Sequence, residues 1–548
     1  MKVQVGPRGE FVLRVPSIRK EEVATLMAYR GLTFSTSSSS REEAILFSDN
    51  PYSVCDIAGP EVTELAPYRL AIEESRALDG IGTRKLPPGK ELWAYQKASL
   101  DYVLKRGGGI LGDQPGLGKT PTSIAFCNER EAHRVLVIVP ASLRLQWAAK
   151  IKEWSTIPNV KISTMLNVRD GIHPTAHYQI ISYNAATNPA IMKAIARYKW
   201  QVLICDEAHA MKNVDAIRTR AILGNAKGQF VHGEDAEGKP ISIPAIGNFC
   251  AEALALTGTL LLNRPSEAYV LLRYFDWESI DFVSQDKFKE RYNRQAVIKT
   301  IHGKRHNLES TSLESELQNR LRVNVMARHE KKDVFKLMKP PRFEVVQLAE
   351  TGAVKKALAE EGMLDIDIED FQTIKNIQVE GHVAEVRRMM GVALAPQVAE
   401  YAEDWLEGRD GEKLVIFGWH IEVLDILEQK LSRFGTVRID GKVSATNRQK
   451  RVDEFVDNPA TRVFIGNLQS AGTGVDGLQK VCSRCFLAEP DWVPAQNEQA
   501  VARLDRIGQM DLVTAEIFVA PGSISEKILV KALEKMNVIH RVLDKEGI

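Results

Sequence analysis

The chain is predicted to be an α/β protein with two parallel-sheet lobes, and three observations carry that prediction. Apolar, strand-length runs alternate with helical stretches from Glu91 onward. A glycine-rich loop, Gly112 to Thr120, follows a strand-like run in the first half. A second alternation begins near Glu385 and carries no second loop of that kind. At 548 residues the chain is too long for one core and suits three or four domains. The expected division is an N-terminal accessory domain, mostly β, over 1–87, a first lobe over 88–275, helical insertions and a linker over 276–384, and a second lobe with a C-terminal helix over 385–548.

Composition narrows the class. Hydrophobic residues make up 44% and charged residues 26%, as in soluble globular proteins. A net charge of +1 gives no global basicity, so any nucleic-acid surface has to be local. The longest apolar runs are strand-length, which predicts no membrane span. Met1 to Glu10 carries Lys2, Arg8 and Glu10 and does not read as a secretory signal. The expectation is an intracellular protein of cytoplasm or nucleoid, in a bacterial or phage setting. Most of the six cysteines sit inside apolar runs, as reduced thiols do; Cys482 and Cys485 have the spacing of half a zinc site without a second pair nearby.

The elements follow in order. Alternation in Phe11 to Val15 and Ala44 to Phe47 predicts short strands before residue 87. In the first lobe, β-branched, non-alternating runs predict buried strands at Gly107 to Leu111, Val135 to Val139, Tyr178 to Ser182, Val202 to Cys205 and Ala253 to Leu256. Residues 228–248, rich in Gly, Asp, Glu and Pro, read as an exposed polar insert, with room for a hairpin between Phe230 and Asn248. Phe275 to Pro341 reads as a charged helical stretch, including a helix over Ser312 to Arg322. Its Lys287, Lys289, Arg291, Arg294, Lys299, Lys304 and Arg305, interleaved with Phe288 and Tyr292, suit a phosphate-tracking surface or a solvated helix face equally well. The second lobe has strands predicted at Leu414 to Phe417, Thr436 to Ile439, Val463 to Gly466, Cys485 to Ala488 and Thr514 to Phe518.

The chemistry is concentrated in a few motifs. In Gly112 to Thr120, GDQPGLGKT, Gly116 and Gly118 free backbone N–H groups to turn toward phosphate oxygens. Lys119 is placed to neutralise the outer phosphates of ATP, and Thr120 to offer its hydroxyl to Mg2+. A strict G-x-x-x-x-G-K-T pattern fails because Asp113 holds the first glycine position. The strand ending at Cys205 delivers Asp206 and Glu207 at its carboxyl end, where open α/β sheets bind ligands. Asp206 is the expected magnesium carboxylate and Glu207 the expected base for the attacking water. In the second lobe, Arg503 and Arg506 are three apart, which on a helix puts two guanidiniums on one face as arginine fingers.

Together these residues resemble the Swi/Snf-type ATPases of helicase superfamily two, the double-stranded DNA translocases, from about Leu92 to about Ala520. Trp93-Ala94-Tyr95-Gln96 resembles the adenine-recognition motif, and the resemblance implies that Gln96 reads the base. Val139 to Leu143 with Trp147, and Ser182-Tyr183, resemble DNA-side motifs; Leu256 to Thr259, with Asn263 and Pro265, resembles the motif coupling ATP state to DNA. Met326 to Val334 resembles the arginine-rich linker ending in Pro340-Pro341. Gly466 to Asp476, Glu489 to Pro494 and Arg503 to Gln509 complete the order. Gln114-Pro115 and Leu260 depart from the usual residues beside the motifs. The compact layout, with Arg438-Ile439-Asp440-Gly441 and Arg448, looks nearest the annealing-helicase branch.

The resemblance implies two RecA-like lobes and an ATPase that moves along or remodels double-stranded or forked DNA, working as a monomer. ATP and Mg2+ are then held by Gln96, Gly116, Gly118, Lys119, Thr120, Asp206 and Gly474. DNA is gripped through its phosphates at Ser142, Tyr183, Thr257 and Ser470. A strand-separating DNA or RNA helicase shares the same core and differs by a wedge. A motor subunit of a restriction or defence complex differs by its partner. A binding module with a degenerate core conflicts with the intact Lys119, Asp206, Glu207, Arg503 and Arg506.

Overall fold

In the computed structural model, two all-parallel sheets emerge where the apolar runs predicted them. The structure describes all residues except 1, 17–26, 28–31, 36–38, 40–42, 226–228, 235–239, 259, 261–264, 277–279, 281–283, 293–295, 300–304, 309–312, 336–339, 363–376, 469–474, 492, 507, 531 and 533–548. The described chain forms two compact units, one of residues 1–114 and 118–334, the other of 115–117 and 335–536.

The first unit opens with a four-stranded antiparallel sheet, β1 (Lys2–Val5), β2 (Phe11–Pro16), β3 (Thr33–Phe34) and β4 (Glu43–Ser48), in the order β1-β2-β4-β3. Leu13, Val15 and Leu46 pack from this sheet onto Val54, Leu65 and Ile72, the last on helix α1 (Ala66–Arg76). Helix α2 (Ala94–Arg106) follows and ends on Gly107, whose φ of 71° supplies the left-handed C-cap.

Seven parallel strands then build the main sheet of this unit. They are β5 (Gly108–Leu111), β6 (Val135–Val139), β7 (Ile162–Thr164), β8 (Tyr178–Ser182), β9 (Trp200–Asp206), β12 (Cys250–Leu256) and β15 (Met326–Ala327). The order is β15-β5-β12-β9-β6-β8-β7. Helices α3 (Lys119–Glu129) and α4 (Arg144–Trp154) carry side chains of the core on one face. Fully buried strands have no polar face to alternate, which is why β6 reads as an unbroken apolar run.

The described part of the insert forms the hairpin for which the sequence left room. β10 (Gln229–Glu234) and β11 (Pro240–Pro244) pair antiparallel, with an irregularity between Val231 and Gly233, and Phe230 is buried in the core. A second hairpin, β13 (Ala296–Lys299) with β14 (Arg305–Leu308), interrupts the stretch predicted to be helical.

Helix α5 (Gln285–Tyr292) and helix α6 (Glu314–Asn324) decide what the basic cluster is for. Phe288 and Tyr292 are fully buried, so the interleaved aromatics belong to the core. Arg291 donates to Glu316 at 2.9 and 2.6 Å, Tyr292 Oη donates to Glu316 at 2.8 Å, and Arg320 approaches it at 3.2 Å. Lys287 and Lys289 stay exposed; Arg294 and Lys304, and the side chains of Lys299 and Arg305, lie outside the described residues.

Burial alone would raise the Glu316 carboxyl, but the Arg291 hydrogen bond and the charges of Arg291 and Arg320 outweigh it and hold the group below its usual value. A carboxylate lowered on folding stabilises the fold above its unfolded value, and that stabilisation is lost as pH falls through the folded value. Glu316→Ala leaves two guanidiniums without their anion. It is expected to lower the urea midpoint of this unit, a loss of about 3 kcal/mol. The acid limb of the wild-type stability curve, present above the ordinary glutamate range and falling below it, is expected to flatten in the variant.

The second unit carries six parallel strands: β16 (Arg342–Gln347), β17 (Leu414–Gly418), β18 (Thr436–Ile439), β19 (Val463–Asn467), β20 (Arg484–Leu487) and β21 (Thr514–Val519), in the order β16-β21-β20-β17-β19-β18. Helix α7 (Ile377–Glu407) covers one face through Val398, Ala402 and Leu406, and helix α8 (Pro494–Val501) brings Ala500 and Val501 into the core of the other. Cys482 and Cys485 are buried free thiols, the first pushed up to about 12 and the second also raised, both by burial. No helix among the described residues is long and apolar enough to cross a membrane.

Candidate active site

Strand order assembles the site. β12 lies between β5 and β9, with Leu256 level with both Leu111 and Asp206. The residues that follow, Gly112, Thr257 and Glu207, therefore leave the sheet side by side at its carboxyl edge.

The phosphate loop leaves β5 there and re-enters as α3. Gly116 and Gly118 have φ of 91° and 76°, a region L side chains rarely adopt. A Cβ at Gly118 would also stand 2.3 Å from the Gln96 amide nitrogen. Gln96 is buried, and its Oε1 accepts from the Trp93 backbone at 2.9 Å, capping α2. Gln96 thus abuts the loop, as its predicted role requires.

Lys119 opens α3 and donates to the carbonyls of Asp113 at 2.7 Å and Gln114 at 3.3 Å. Burial lowers its ammonium to about 8, against the opposing pull of Glu207, Asp113 and Asp206. Thr120 is half-buried at the second position of the helix.

Asp206 ends β9, 9% exposed, with each carboxylate oxygen fixed. Trp147 Nε1 donates to Oδ2 at 2.7 Å, and the Glu207 backbone donates to Oδ1 at 2.9 Å. Burial, then the charge of Glu207, raises the Asp206 carboxyl, opposed by Trp147 and Lys119. Glu207 has φ 52° and ψ 50°, a left-handed conformation unusual for a glutamate and typical of strain kept where a side chain must be aimed.

His209 joins two motifs. Its Nδ1 lies 3.3 Å from Glu207 Oε2 and 3.3 Å from Thr257 Oγ1. Sequence reasoning assigned His209 no role, although it stood visible beside Glu207. Trp147 was read on the DNA side, and its indole instead holds Asp206.

The sites expected to grip DNA divide. Tyr183 is 5% exposed and donates its hydroxyl to the Asp206 carbonyl at 2.8 Å. Thr257 is 0% exposed and faces His209. Both side chains are buried and bond inward, toward the carboxylate motif beside them. Ser142 is half-buried on the turn after β6 and keeps a route to the surface. Ser470 and Gly474, like Thr259 and Asn263, lie outside the described residues.

In the second unit the helix α8 stops at Val501, so Arg503 and Arg506 lie on the turns beyond it and do not share a helix face as expected. The Leu504 and Asp505 amides both donate to the Val501 carbonyl, at 2.9 and 3.0 Å, closing the chain into those turns. Arg506 donates to Asp476 at 2.7 Å, and Arg503 to the Val475 carbonyl at 3.4 Å. Both arginines are thereby tied to the end of the glycine-rich motif. Glu489 closes the neighbouring strand end, accepting from the backbones of Trp419 and His420 at 2.8 and 2.9 Å.

The residues of the first unit fit a nucleoside triphosphate with magnesium. The amino end of an 11-residue helix meets a loop with glycines at 116 and 118, beside an ammonium that now rests on loop carbonyls and a buried carboxylate held by fixed donors.

Residues 89–225 match the SNF2-related domain, and residues 397–508 match the helicase conserved C-terminal domain. The mouse DNA annealing helicase and endonuclease ZRANB3 is 28% identical over 469 residues, covering 81% of this chain and 39% of its own. Human ZRANB3 is 27% identical over 453 residues, with 79% and 39% covered. A Caenorhabditis elegans homolog of the SWI/SNF-related matrix-associated actin-dependent regulator of chromatin subfamily A-like protein 1 is 24% identical, with 83% and 62% covered. The chain spans about two fifths of the length of the ZRANB3 relatives. The solved Sulfolobus solfataricus SWI2/SNF2 ATPase core in complex with dsDNA covers 86% of this chain at 17% identity and a TM-score of 0.39, too low to bear on the fold.

Proposed function

Because the chain belongs to the Swi/Snf-type ATPases of helicase superfamily two, we propose that it hydrolyses ATP to move along or remodel double-stranded or forked DNA. The observation that carries this reading is the meeting of Lys119, Asp206, Glu207, His209 and Thr257 at the ends of three adjacent strands. Similarity to proteins named as DNA annealing helicases supports DNA as the track and the annealing branch as the nearer relation.

In this reading Gln96 reads the base, Lys119 and the amide groups of the loop hold the phosphates, and Thr120 with Asp206 hold magnesium. Bound magnesium would supply charge neutralisation for the outer phosphates. Trp147 keeps the Asp206 carboxylate in one orientation. Glu207 orients water and takes its proton, while His209 carries the state of Glu207 to Thr257. Arg503 and Arg506 of the second unit stabilise charge on the transferring phosphoryl group, with Gly474 in the same motif set. Ser142 and Ser470 contact the DNA backbone, a grip without base reading that lets a motor advance.

The hairpin β10–β11 would suit a strand-separating helicase. The composition of residues 234–239 works against that use: three acids, Glu234, Asp235 and Glu237, outnumber the single Lys239, and net negative charge repels phosphate. Steady-state ATP turnover across nucleic-acid forms tests the proposal, with duplex or forked DNA expected to stimulate and single strand or RNA to leave turnover low.

A further inference from the structure

We propose that Arg328 and His329 are positioning residues that latch the phosphate loop to the end of α1, making the N-terminal segment part of the nucleotide site. The proposal rests on nucleotide binding at Lys119 and on nothing about DNA.

The loop is first zipped to a neighbouring strand. β15 pairs with β5 in register Met326 to Ile110 and Ala327 to Leu111. Backbone bonds continue past both strands, from Gly112 N–H to Ala327 O at 2.8 Å and from Gln114 N–H to His329 O at 3.1 Å. Side chains then bolt the contact. Arg328 donates to the Gly112 carbonyl at 2.6 Å and the Gly258 carbonyl at 3.0 Å, holding the loop and the residue after Thr257 with one guanidinium. Asp113 accepts from the His329 backbone at 2.9 Å and from its Nδ1 at 2.8 Å.

The other side of the same segment grips α1. Ser75 Oγ donates to the Met326 carbonyl at 2.7 Å, and the Arg328 backbone donates to the Ser75 carbonyl at 3.2 Å. His329 Nε2 lies 2.9 Å from the Ala77 carbonyl. The ring therefore spans the Ala77 carbonyl and the Asp113 carboxylate, with Ser99 Oγ 3.2 Å from the same Nδ1. Arg322 adds bonds to Ser75 Oγ at 3.2 Å and the Arg328 carbonyl at 3.1 Å. Ser75 and Asp113 are 0% exposed, and Arg322, Arg328 and His329 no more than 4%.

This network reaches the chemistry through Lys119, whose ammonium rests on the carbonyls of Asp113 and Gln114, the two loop residues bonded to His329. Shifting Ser75 to Ala77 therefore shifts the loop, and by linkage a nucleotide in the loop must steady Ser75 to Ala77. Buried polar networks respond as units, because each loss leaves another group unsatisfied.

The test uses the full chain, with a fluorescent ATP analogue and magnesium as probe and amide hydrogen exchange as second readout. Ser75→Ala and His329→Gln are each expected to weaken analogue binding about tenfold, within the usual span of such couplings. Turnover at saturating ATP is expected to change less than threefold, and the double variant to lose less than the product of the two single losses. Exchange at 112–119 is expected to quicken in both, and the analogue to slow exchange at 75–77 in wild type. Unchanged loop exchange with binding within twofold of wild type in Ser75→Ala would overturn the latch, and that variant answers even if His329→Gln does not fold. If wild type itself binds no analogue, the ATP reading fails, while loop exchange in Ser75→Ala still decides the latch.

Discussion

Glu207→Gln is expected to lower ATP turnover by about 10²- to 10⁴-fold while leaving nucleotide binding nearly intact. The amide keeps the shape of the side chain and removes the base. The backbone strain at Glu207, φ 52°, stays in place, because it belongs to the turn between β9 and His209 and not to the carboxylate. Binding is expected to rest on Lys119 and the loop, whose hydrogen bonds to the Asp113 and Gln114 carbonyls the substitution leaves in place. The checking measurement pairs single-turnover hydrolysis with equilibrium binding of ATP. A fall in affinity equal to the fall in rate would mean that Glu207 holds the nucleotide and does not act on water.

Arg506→Ala is the second large effect, an expected loss of about 10³-fold or more in turnover, the range seen when a charge-stabilising arginine is removed. In the second unit Arg506 is fastened to Asp476 at 2.7 Å, and its Nε donates to the Ala502 carbonyl at 3.2 Å. Both bonds aim a planar donor group from a turn, and a lysine has neither the reach nor the fork to replace it. Arg506→Lys is therefore expected to recover little. Stimulated turnover in Arg506→Ala within tenfold of wild type would remove it from the catalytic set and leave it as a strut for the glycine-rich motif.

Legibility in the sequence followed burial. β6 and most of β9, β17 and β19 were predictable because strands covered on both faces leave long apolar runs, while the edge strand β18 showed through its alternation. β15 was invisible, being two residues long, and so was its pairing with the phosphate loop. Helix α6 was found, but its burial was not: Glu316 and Arg320 pair in the core, and Arg322 bonds Ser75 of the N-terminal segment. Charge pattern along a helix tells nothing of a partner hundreds of residues away.

The motif residues Lys119, Asp206 and Glu207 stand out in the sequence, and the fold brings them near one another at the sheet's carboxyl edge. The site was less legible where a residue at a strand end has two uses. Tyr183 and Thr257 hold positions suited to reaching a DNA phosphate and to bonding inward to Asp206 and His209, and the inward bonds were not visible in the spacing. The arginine pair was misplaced onto a helix because three-residue spacing fits a helix and a pair of tight turns alike.

The most direct test of ATP-driven work on duplex DNA is steady-state ATP turnover of the full chain with no nucleic acid, single strand, duplex, forked DNA and RNA, with Lys119→Ala as the blank. Strong stimulation by duplex or forked DNA, with little from single strand or RNA, is the predicted result. Stimulation by single strand or RNA alone would contradict it and make a strand-separating helicase the better account.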